Sequence, residues 1–344
     1  MTTWAELVQA IVREPDDDAP RLVAADWLME RGDPRGEYIA LAVRGDALDG
    51  YAERETEWAQ RLVQLGANNR PTFRRGFIED VHLDDTKIAN LSACWELEPI
   101  RDVVLRHGKR EAIRALVDRE ELAQLRTLAL TDCNGSAELL RSPHLTNLDE
   151  VHVYNHDEDI AGALAASHIR PKRTEHNADA IDLDGLETLV AAEYFARIEE
   201  LHLAAANDDV IVTLCSKRMP HLRSLAISGS VSADAFEVLG PHLDQLEDLR
   251  IEGPFDDEIA EVLITHVKSG RLRRLACTRP YETGIVGLVQ SPAMRSVEHL
   301  TTSSSSLDVD VLKRSKHRTA LRTLVINRVP PGFALDDVEI VTDE

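Results

Sequence analysis

Apolar residues recur in a six-residue pattern, apolar-x-x-apolar-x-apolar, over most of the chain. The alternation at its last three positions is typical of a strand with one buried face. The spacing is about 24 residues, except for one interval of about 50, which fits two units with a degenerate strand near 171–176. The hexads begin at Ile78, Ile100, Leu125, Leu148, Ile198, Leu222, Leu246, Leu272, Val297 and Leu321. The pattern therefore predicts about eleven structural units.

The segments between hexads have a different period. Residues 233–239, 257–267 and 307–313 carry apolar side chains at i, i+3 and i+4, which is typical of a helix with one buried face. A strand followed by a helix that returns the chain to the same edge gives parallel neighbouring strands. We therefore predict an α/β chain with a parallel sheet from residue 73 to residue 344.

Residues 1–72 lack the hexad and predict a separate helical domain. Thr3 and Glu6 form a capping box for a first helix. Asp18 is expected to cap a second helix, with Pro20 in its first turn. The inward residues of this second helix are predicted to be Leu22, Val23, Trp27 and Leu28. A third helix is expected after Pro34 and a fourth over 52–65.

Two stretches of sequence resemble known families. The string EPDDDAPRLVAADWLMERGDPRGE at 14–37 resembles the repeat-companion domain, a bacterial module found ahead of repeat arrays, and FRRGF at 73–77 resembles its junction with the repeats. The hexads resemble leucine-rich repeats. The resemblance implies a leucine-rich-repeat horseshoe solenoid of about eleven repeats, with an N-terminal helical capping domain and no catalytic activity. The consensus Asn or Cys three residues beyond the hexad is present here only as Cys133.

The charge balance limits the classes of partner. The chain has 39 Lys and Arg against 61 Asp and Glu, a net charge of -22. Such a chain repels phosphate backbones and anionic membranes, so we expect neither nucleic acid nor a membrane as partner. A basic protein is the electrostatic complement. No signal segment, membrane-length apolar run or CxxC pair is seen, which favours a cytoplasmic protein with reduced thiols.

Strand alternation also predicts which residues a partner would contact. Hexad positions four and six should be buried, and positions three, five and seven should line the concave face. We select the charged, histidine and aromatic side chains of that face as candidate partner-binding residues. They are Asp80, His82, Asp84, Glu150, His152, Tyr154, Glu200, His202, Arg250 and Glu252.

The second hexad position alternates in charge along the last six units. It carries Glu199, Arg223, Glu247, Arg273, Glu298 and Arg322. Parallel strands lie about 4.8 Å apart, so these side chains should form a ladder of opposite charges. We assign this ladder to strand register and not to binding.

Metal binding and catalysis are weaker interpretations of the same residues. His82 lies between Asp80 and Asp84, while His152 is followed by His156 and Asp157. The two histidines are three strands apart, roughly 14 Å, so they cannot share an ion. Ser303–Ser306 lack a nucleophile elbow, and Cys277 falls at a core position. We therefore predict no catalytic residue, no metal and no cofactor.

The sequence as a whole favours a non-catalytic protein-interaction scaffold. It would bind a protein partner through the concave face, in a regulatory, sensing or inhibitory role, and would be a monomer on its own. Two alternatives stay open at this stage. The chain could be the substrate or regulator of a partner protease, acted on at its head or tail, or a metal-dependent enzyme using the His82 and His152 clusters.

Overall fold

The protein has an α/β fold. The computed structural model describes residues 2–67, 71–154, 159–177, 183–302, 309–326, 334–335 and 337–342. Within these ranges the first two strands form a small antiparallel hairpin, β1 (Phe73–Arg74) with β2 (Phe77–Ile78). The other strands form a parallel sheet of twelve strands in chain order.

The strands of the parallel sheet are short and regularly spaced. They are β3 (Asp80–Asp84), β4 (Asp102–Arg106), β5 (Thr127–Thr131), β6 (Glu150–Tyr154), β7 (Arg173–Asn177), β8 (Glu200–Ala206), β9 (Ser224–Gly229), β10 (Asp248–Phe255), β11 (Arg274–Pro280), β12 (His299–Thr302), β13 (Thr323–Ile326) and β14 (Glu339–Thr342).

The described residues also form fourteen α-helices. Four precede the sheet: α1 (Trp4–Arg13), α2 (Ala19–Met29), α3 (Arg35–Arg44) and α4 (Ala52–Leu65). The others alternate with the strands. They are α5 (Leu91–Leu97), α6 (Arg110–Arg114), α7 (Ser136–Leu140), α8 (Ile160–Ala166), α9 (Leu183–Ala191), α10 (Asp208–Leu214), α11 (Ala233–Leu243), α12 (Asp257–His266), α13 (Glu282–Val289) and α14 (Val309–Arg314).

The hexads predicted the strand positions correctly. Each hexad contributes the strand that begins at its third position, and β7 lies at the expected degenerate position. Burial alternates as the pattern requires: in β5, Leu128 and Leu130 are buried, while Thr127, Ala129 and Thr131 are partly exposed. The buried positions, filled mainly by Leu, Ile and Val, pack under the helices and form the core.

The predicted fold class is corrected by the structure. We expected a leucine-rich-repeat horseshoe solenoid of about eleven repeats, but the structure is an α/β fold with a twelve-stranded parallel sheet and fourteen α-helices in the described residues. In several units a side chain that follows the strand caps the next helix. Asn207 accepts a hydrogen bond from the amide of Val210, and Asp256 from that of Ile259.

The last strand also breaks the period. Thr323 of β13 lies beside Glu339 of β14, a step of about 16 residues, whereas Ser224 lies beside Asp248, a step of about 24. The hexad pattern of the sequence has no unit there, so β14 was missed. The pairing of β14 relies on backbone hydrogen bonds, because its four residues are mostly exposed.

The chain divides into two compact units, Met1–Arg170 and Pro171–Glu344. The first unit contains α1–α8 and strands β1–β6, and the second contains α9–α14 and strands β7–β14. Helices α1–α4 therefore pack in the same compact unit as the first strands of the sheet. The domain boundary predicted at residue 72 stays a prediction.

Helix α2 shows where hydrophobic periodicity misplaced a face. The capping box of α1 is present as predicted, with the Thr3 hydroxyl bound to the Glu6 amide. In α2, however, Leu22 and Val23 are exposed, and the side chain of Arg21 is fully buried. Leu28 is buried as expected. The buried Arg21 side chain forms an ion pair with the carboxylate of Glu79, as described below.

Candidate functional site

The exposed sheet face of the first unit holds six of the ten candidate partner-binding residues. We define this face by the third, fifth and seventh hexad positions of β3–β6. The strand register arranges these positions in three rows, each crossing four strands. The first row is Asp80–Asp102–Thr127–Glu150, the second is His82–Val104–Ala129–His152, and the third is Asp84–Arg106–Thr131–Tyr154.

The first row carries most of the negative charge. Asp80 accepts a hydrogen bond from the Thr72 hydroxyl at 3.0 Å. Asp102 pairs with Arg126 at 3.2 Å, and Glu150 lies 3.6 Å from the Nε2 of its row-two neighbour His152. Together with Asp84, the first row gives this face four carboxylates against one guanidinium group, Arg106. The face is therefore acidic overall.

The second row places two histidines at the ends and two small apolar side chains between them. Val104 and Ala129 are both partly exposed and form a low apolar floor. His82 and His152 stand three strands apart, roughly 14 Å at the usual strand spacing. They cannot share a metal ion, and among the described residues no group of three or more His, Cys, Asp or Glu could hold one. His156 and Asp157 lie outside the described residues.

His82 favours its neutral form. Burial, followed by the positive charge of Arg106, lowers the pKa of His82, and the nearby carboxylates of Asp80 and Asp84 only partly oppose this. The ring is therefore a neutral hydrogen-bonding group at pH 7. Arg106, which the sequence analysis did not select, faces the same surface from β4.

The third row ends at Tyr154. It lies beside Thr131 in register and is partly exposed. It is the only aromatic residue at the exposed positions of β3–β6, all of which are described. A partly exposed tyrosine offers a large apolar surface with a polar end, which is a common anchor in protein interfaces.

The four remaining candidates lie in the second unit and make ion pairs within the chain. Glu200 contacts Arg173 at 3.0 Å, and the Nδ1 of His202 lies 2.7 Å from Glu175. Arg250 and Glu252 contact each other at 3.7 Å. We take the six residues of the first unit as the candidate site because they lie in register on four consecutive strands.

The cysteine thiols are not placed for nucleophilic chemistry. All four cysteines are free. Burial raises the pKa of Cys277 and of Cys94 to about 12 and that of Cys215 to about 11, so these thiols stay protonated at pH 7. Burial also raises the pKa of Cys133. Ser303–Ser306 lie outside the described residues.

A second cluster of functional interest joins the N-terminal helices to the sheet. Arg21 of α2 contacts Glu79 at 2.6 Å, with both side chains almost fully buried. Arg35 of α3 makes two parallel contacts with Glu98, at 2.7 and 2.8 Å. Glu98 also accepts a hydrogen bond from the amide of Ile78. Both carboxylates are thus held by an arginine from the helices.

Aromatic side chains complete this joint. The indole of Trp4 stacks on Phe77 with ring centroids 5.9 Å apart, and its Nε1 donates to the carbonyl of Leu97 at 2.9 Å. Gly76 has a left-handed φ of 85°, and a Cβ there would lie 2.5 Å from Ile39. The sequence indicated the junction through the FRRGF string, which supplies Gly76 and Phe77, but it did not predict the buried arginine–glutamate pairs.

No protein-family model and no curated protein matches the chain. In the described residues, none of the helices has the length and apolar character needed to cross a membrane.

Proposed function

We propose that this chain is a non-catalytic protein-binding scaffold that recognises a basic protein through the exposed sheet face of the first unit. The observation that carries the proposal is the three-row arrangement on β3–β6. An acidic first row borders an apolar floor of Val104 and Ala129, and Tyr154 stands at one corner. A basic partner with one apolar side chain complements such a surface.

The topology supports binding in preference to catalysis. In each unit the strands follow one another in chain order. Among the described strands, neither unit has the reversal of strand order that opens a ligand crevice in many α/β enzymes. The thiols, which are buried and protonated, also argue against nucleophilic catalysis by cysteine. The partner would be a regulated, sensed or inhibited protein, and the four free cysteines support a cytoplasmic location.

The test uses two charge-matched variants of the full chain. Asp80→Lys with Glu150→Lys reverses the acidic row, while Glu53→Lys with Glu57→Lys makes the same change in net charge on the exposed side of α4. Basic proteins from a lysate of the source organism would be captured on each. We expect wild type and the α4 variant to retain a basic protein that the sheet-face variant loses.

Kinetics on the captured protein then separate the roles of charge and anchor. Because exposed charges mainly accelerate encounter, the Asp80→Lys and Glu150→Lys double variant should slow association and weaken its salt dependence. Tyr154→Ala should mainly speed dissociation. Binding that survives the sheet-face variant but is lost in the α4 variant would contradict the proposed surface.

A further inference from the structure

The second unit contains basic segments that run against the charge of the whole chain. Residues 215–223, which lead into β9, contain three Lys or Arg residues and no acidic residue. Residues 266–274, which lead into β11, contain four and again no acidic residue. In a chain with a net charge of -22, this concentration of positive charge at the entrances to β9 and β11, the two strands that flank β10, needs an explanation.

These two segments border a cavity of about 540 Å³. Gln245 and Glu247, which precede β10, line the cavity between the two segments. The polar residues that line the cavity are His221, Arg223, Gln245, Glu247, Arg271 and Arg273. Three guanidinium groups face one carboxylate, so the lining carries a surplus of about two positive charges.

A network of hydrogen bonds fixes the turn that carries Arg271. The carboxylate of Asp244 accepts from the amides of Lys268 and Ser269, both at 2.6 Å. The Ser269 hydroxyl donates to the Asp244 carbonyl at 2.6 Å. Burial acts to raise the pKa of Asp244, but these amide donors and the charge of Arg271 prevail and lower it. The turn is thus held rigidly by an ionised carboxylate.

The three arginines differ in how far they are neutralised. Arg223 contacts Glu247 at 3.1 Å. Arg273 contacts Glu298 at 3.4 Å and donates to the Ser296 carbonyl at 3.4 Å. Arg271 makes no ion pair within 4 Å with any residue that the structure describes. Its guanidinium is therefore the group most able to take an external anion.

We propose that this cavity binds an oxyanion, a carboxylate or a phosphate, presented by an acidic segment of a protein partner, with Arg271 as the main contact. Guanidinium groups bind both oxyanions through two parallel hydrogen bonds. A concave site lined by one sign of charge focuses its field and attracts the opposite charge. A long phosphate backbone is repelled by the acidic remainder of the chain, whereas a short peptide segment is not forced to approach it.

The experiment measures anisotropy of two labelled peptides with the full chain at low ionic strength. Both peptides have a Gly and Ser background; one carries glutamates and the other carries phosphoserines at the same positions. We expect at least one to bind, with an affinity that falls as salt rises. The better ligand identifies whether carboxylate or phosphate is the natural group, and either result supports the site.

Substitutions then locate the binding. Arg271→Ala should weaken binding about tenfold, the usual effect of losing a charge-assisted contact. The peptide affinity of Arg271→Lys should lie between those of wild type and Arg271→Ala, because lysine keeps the charge but loses the paired donors. Glu247→Gln should strengthen binding severalfold, because it frees Arg223 from its ion pair. The matched control is Arg322→Ala, which removes the same charge at another strand entrance outside the cavity lining.

Three results would overturn the proposal. They are an absence of binding by both peptides, an equal loss of affinity in Arg322→Ala and Arg271→Ala, and tighter binding of a single-stranded oligonucleotide of equal charge. The site lies in the second unit and the proposed protein-binding face in the first, so the substitutions Asp80→Lys and Glu150→Lys should not weaken peptide binding. The two proposals therefore stand or fall separately.

Discussion

At the scale of single residues, the buried arginine–glutamate pairs decide how the N-terminal helices meet the sheet. Burying a charge is costly unless it is paired and hydrogen-bonded. Arg35 meets that condition through two contacts with Glu98 and one with the carbonyl of Gly76. Such pairs add little net stability over apolar packing, but they penalise any other way of docking the helices.

Removal of one partner tests this argument. Arg35→Ala leaves the Glu98 carboxylate buried without its cation, so the free energy of unfolding should fall by about 3–5 kcal/mol. The matched control is Arg44→Ala, which breaks an exposed pair with Asp46 and should cost no more than about 1 kcal/mol. Urea denaturation gives both values. Equal losses in the two variants would show that the Glu98 pair has no special role.

A buried histidine makes stability depend on pH. Burial, and then the charge of Arg218, lower the pKa of His242 in the folded protein. The unfolded chain therefore binds more protons below about pH 6.5, and stability should fall as the pH falls through that value. His242→Gln should reduce the difference in unfolding free energy between pH 7.5 and pH 5.5. His299→Gln, at an exposed position, is the control and should leave that difference unchanged.

At the scale of elements, the second hexad position holds neighbouring strands in register. In the second unit the amide of each residue at this position donates to the carbonyl of the one before it. The structure extends the predicted ladder by one residue at its N-terminal end. The complete set alternates in sign: Lys172, Glu199, Arg223, Glu247, Arg273, Glu298 and Arg322.

A double-mutant cycle on Arg273 and Glu298 measures one rung of this ladder. Their side chains are partly exposed and lie 3.4 Å apart, so the coupling energy should be about 0.2–1 kcal/mol. Since exposed ion pairs are screened, the coupling should shrink in 0.5 M salt. Urea denaturation of the four proteins at both salt concentrations provides the measurement. A coupling energy of zero at low salt would show that the ion pairs of the ladder do not help to hold the strands in register.

The strands were predictable from sequence because each hexad signals burial locally. In β5, for example, the alternation of apolar and polar residues is enough to indicate that Leu128 and Leu130 are buried. The class of the fold was not predictable in the same way. Asn207, for example, caps the helix that follows it, and this contact is visible only once the position of that helix is known. The strand β14 carries almost no buried residue, so no hydrophobic pattern could reveal it.

The candidate site was predictable in part for the same reason. Alternation placed Asp80, His82 and Tyr154 on an exposed face, but it could not give the register that sets them beside Val104 and Ala129. The buried position of Arg21 could not be foreseen either. Its partner Glu79 is distant in sequence, and periodicity assigns a charged side chain to solvent.

At the scale of the whole molecule, charge is distributed unevenly within a chain of net charge -22. The first unit presents the acidic sheet face, and the second presents the arginine-lined cavity. Surfaces of opposite sign on one chain suit a scaffold that holds two different partners, one basic and one acidic. Together, the two proposals give a chain that binds one basic and one acidic partner.

The N-terminal helices of the first unit are expected to be necessary for its folding. They cover Phe77 and Ile78, which are fully buried, and they neutralise Glu79 and Glu98. Ala67, just beyond α4, forms an antiparallel bridge with Leu83 and so protects the free edge of β3. Without residues 2–72, the buried carboxylates of Glu79 and Glu98 lose Arg21 and Arg35, and an unpaired strand edge meets solvent.

Deletion of residues 2–72 should therefore give an insoluble or molten protein that lacks near-ultraviolet circular dichroism and a cooperative unfolding transition. Two point variants distinguish the contact of the helices with the rest of the unit from contacts among the N-terminal residues themselves. Trp4→Ala should destabilise more than Trp27→Ala, because Trp4 reaches Phe77 and Leu97. The indole of Trp27, by contrast, donates to Thr2 and stacks with Arg31, both among the N-terminal helices. A soluble truncation that unfolds cooperatively would show instead that the sheet is self-sufficient and that the helices form an independent module.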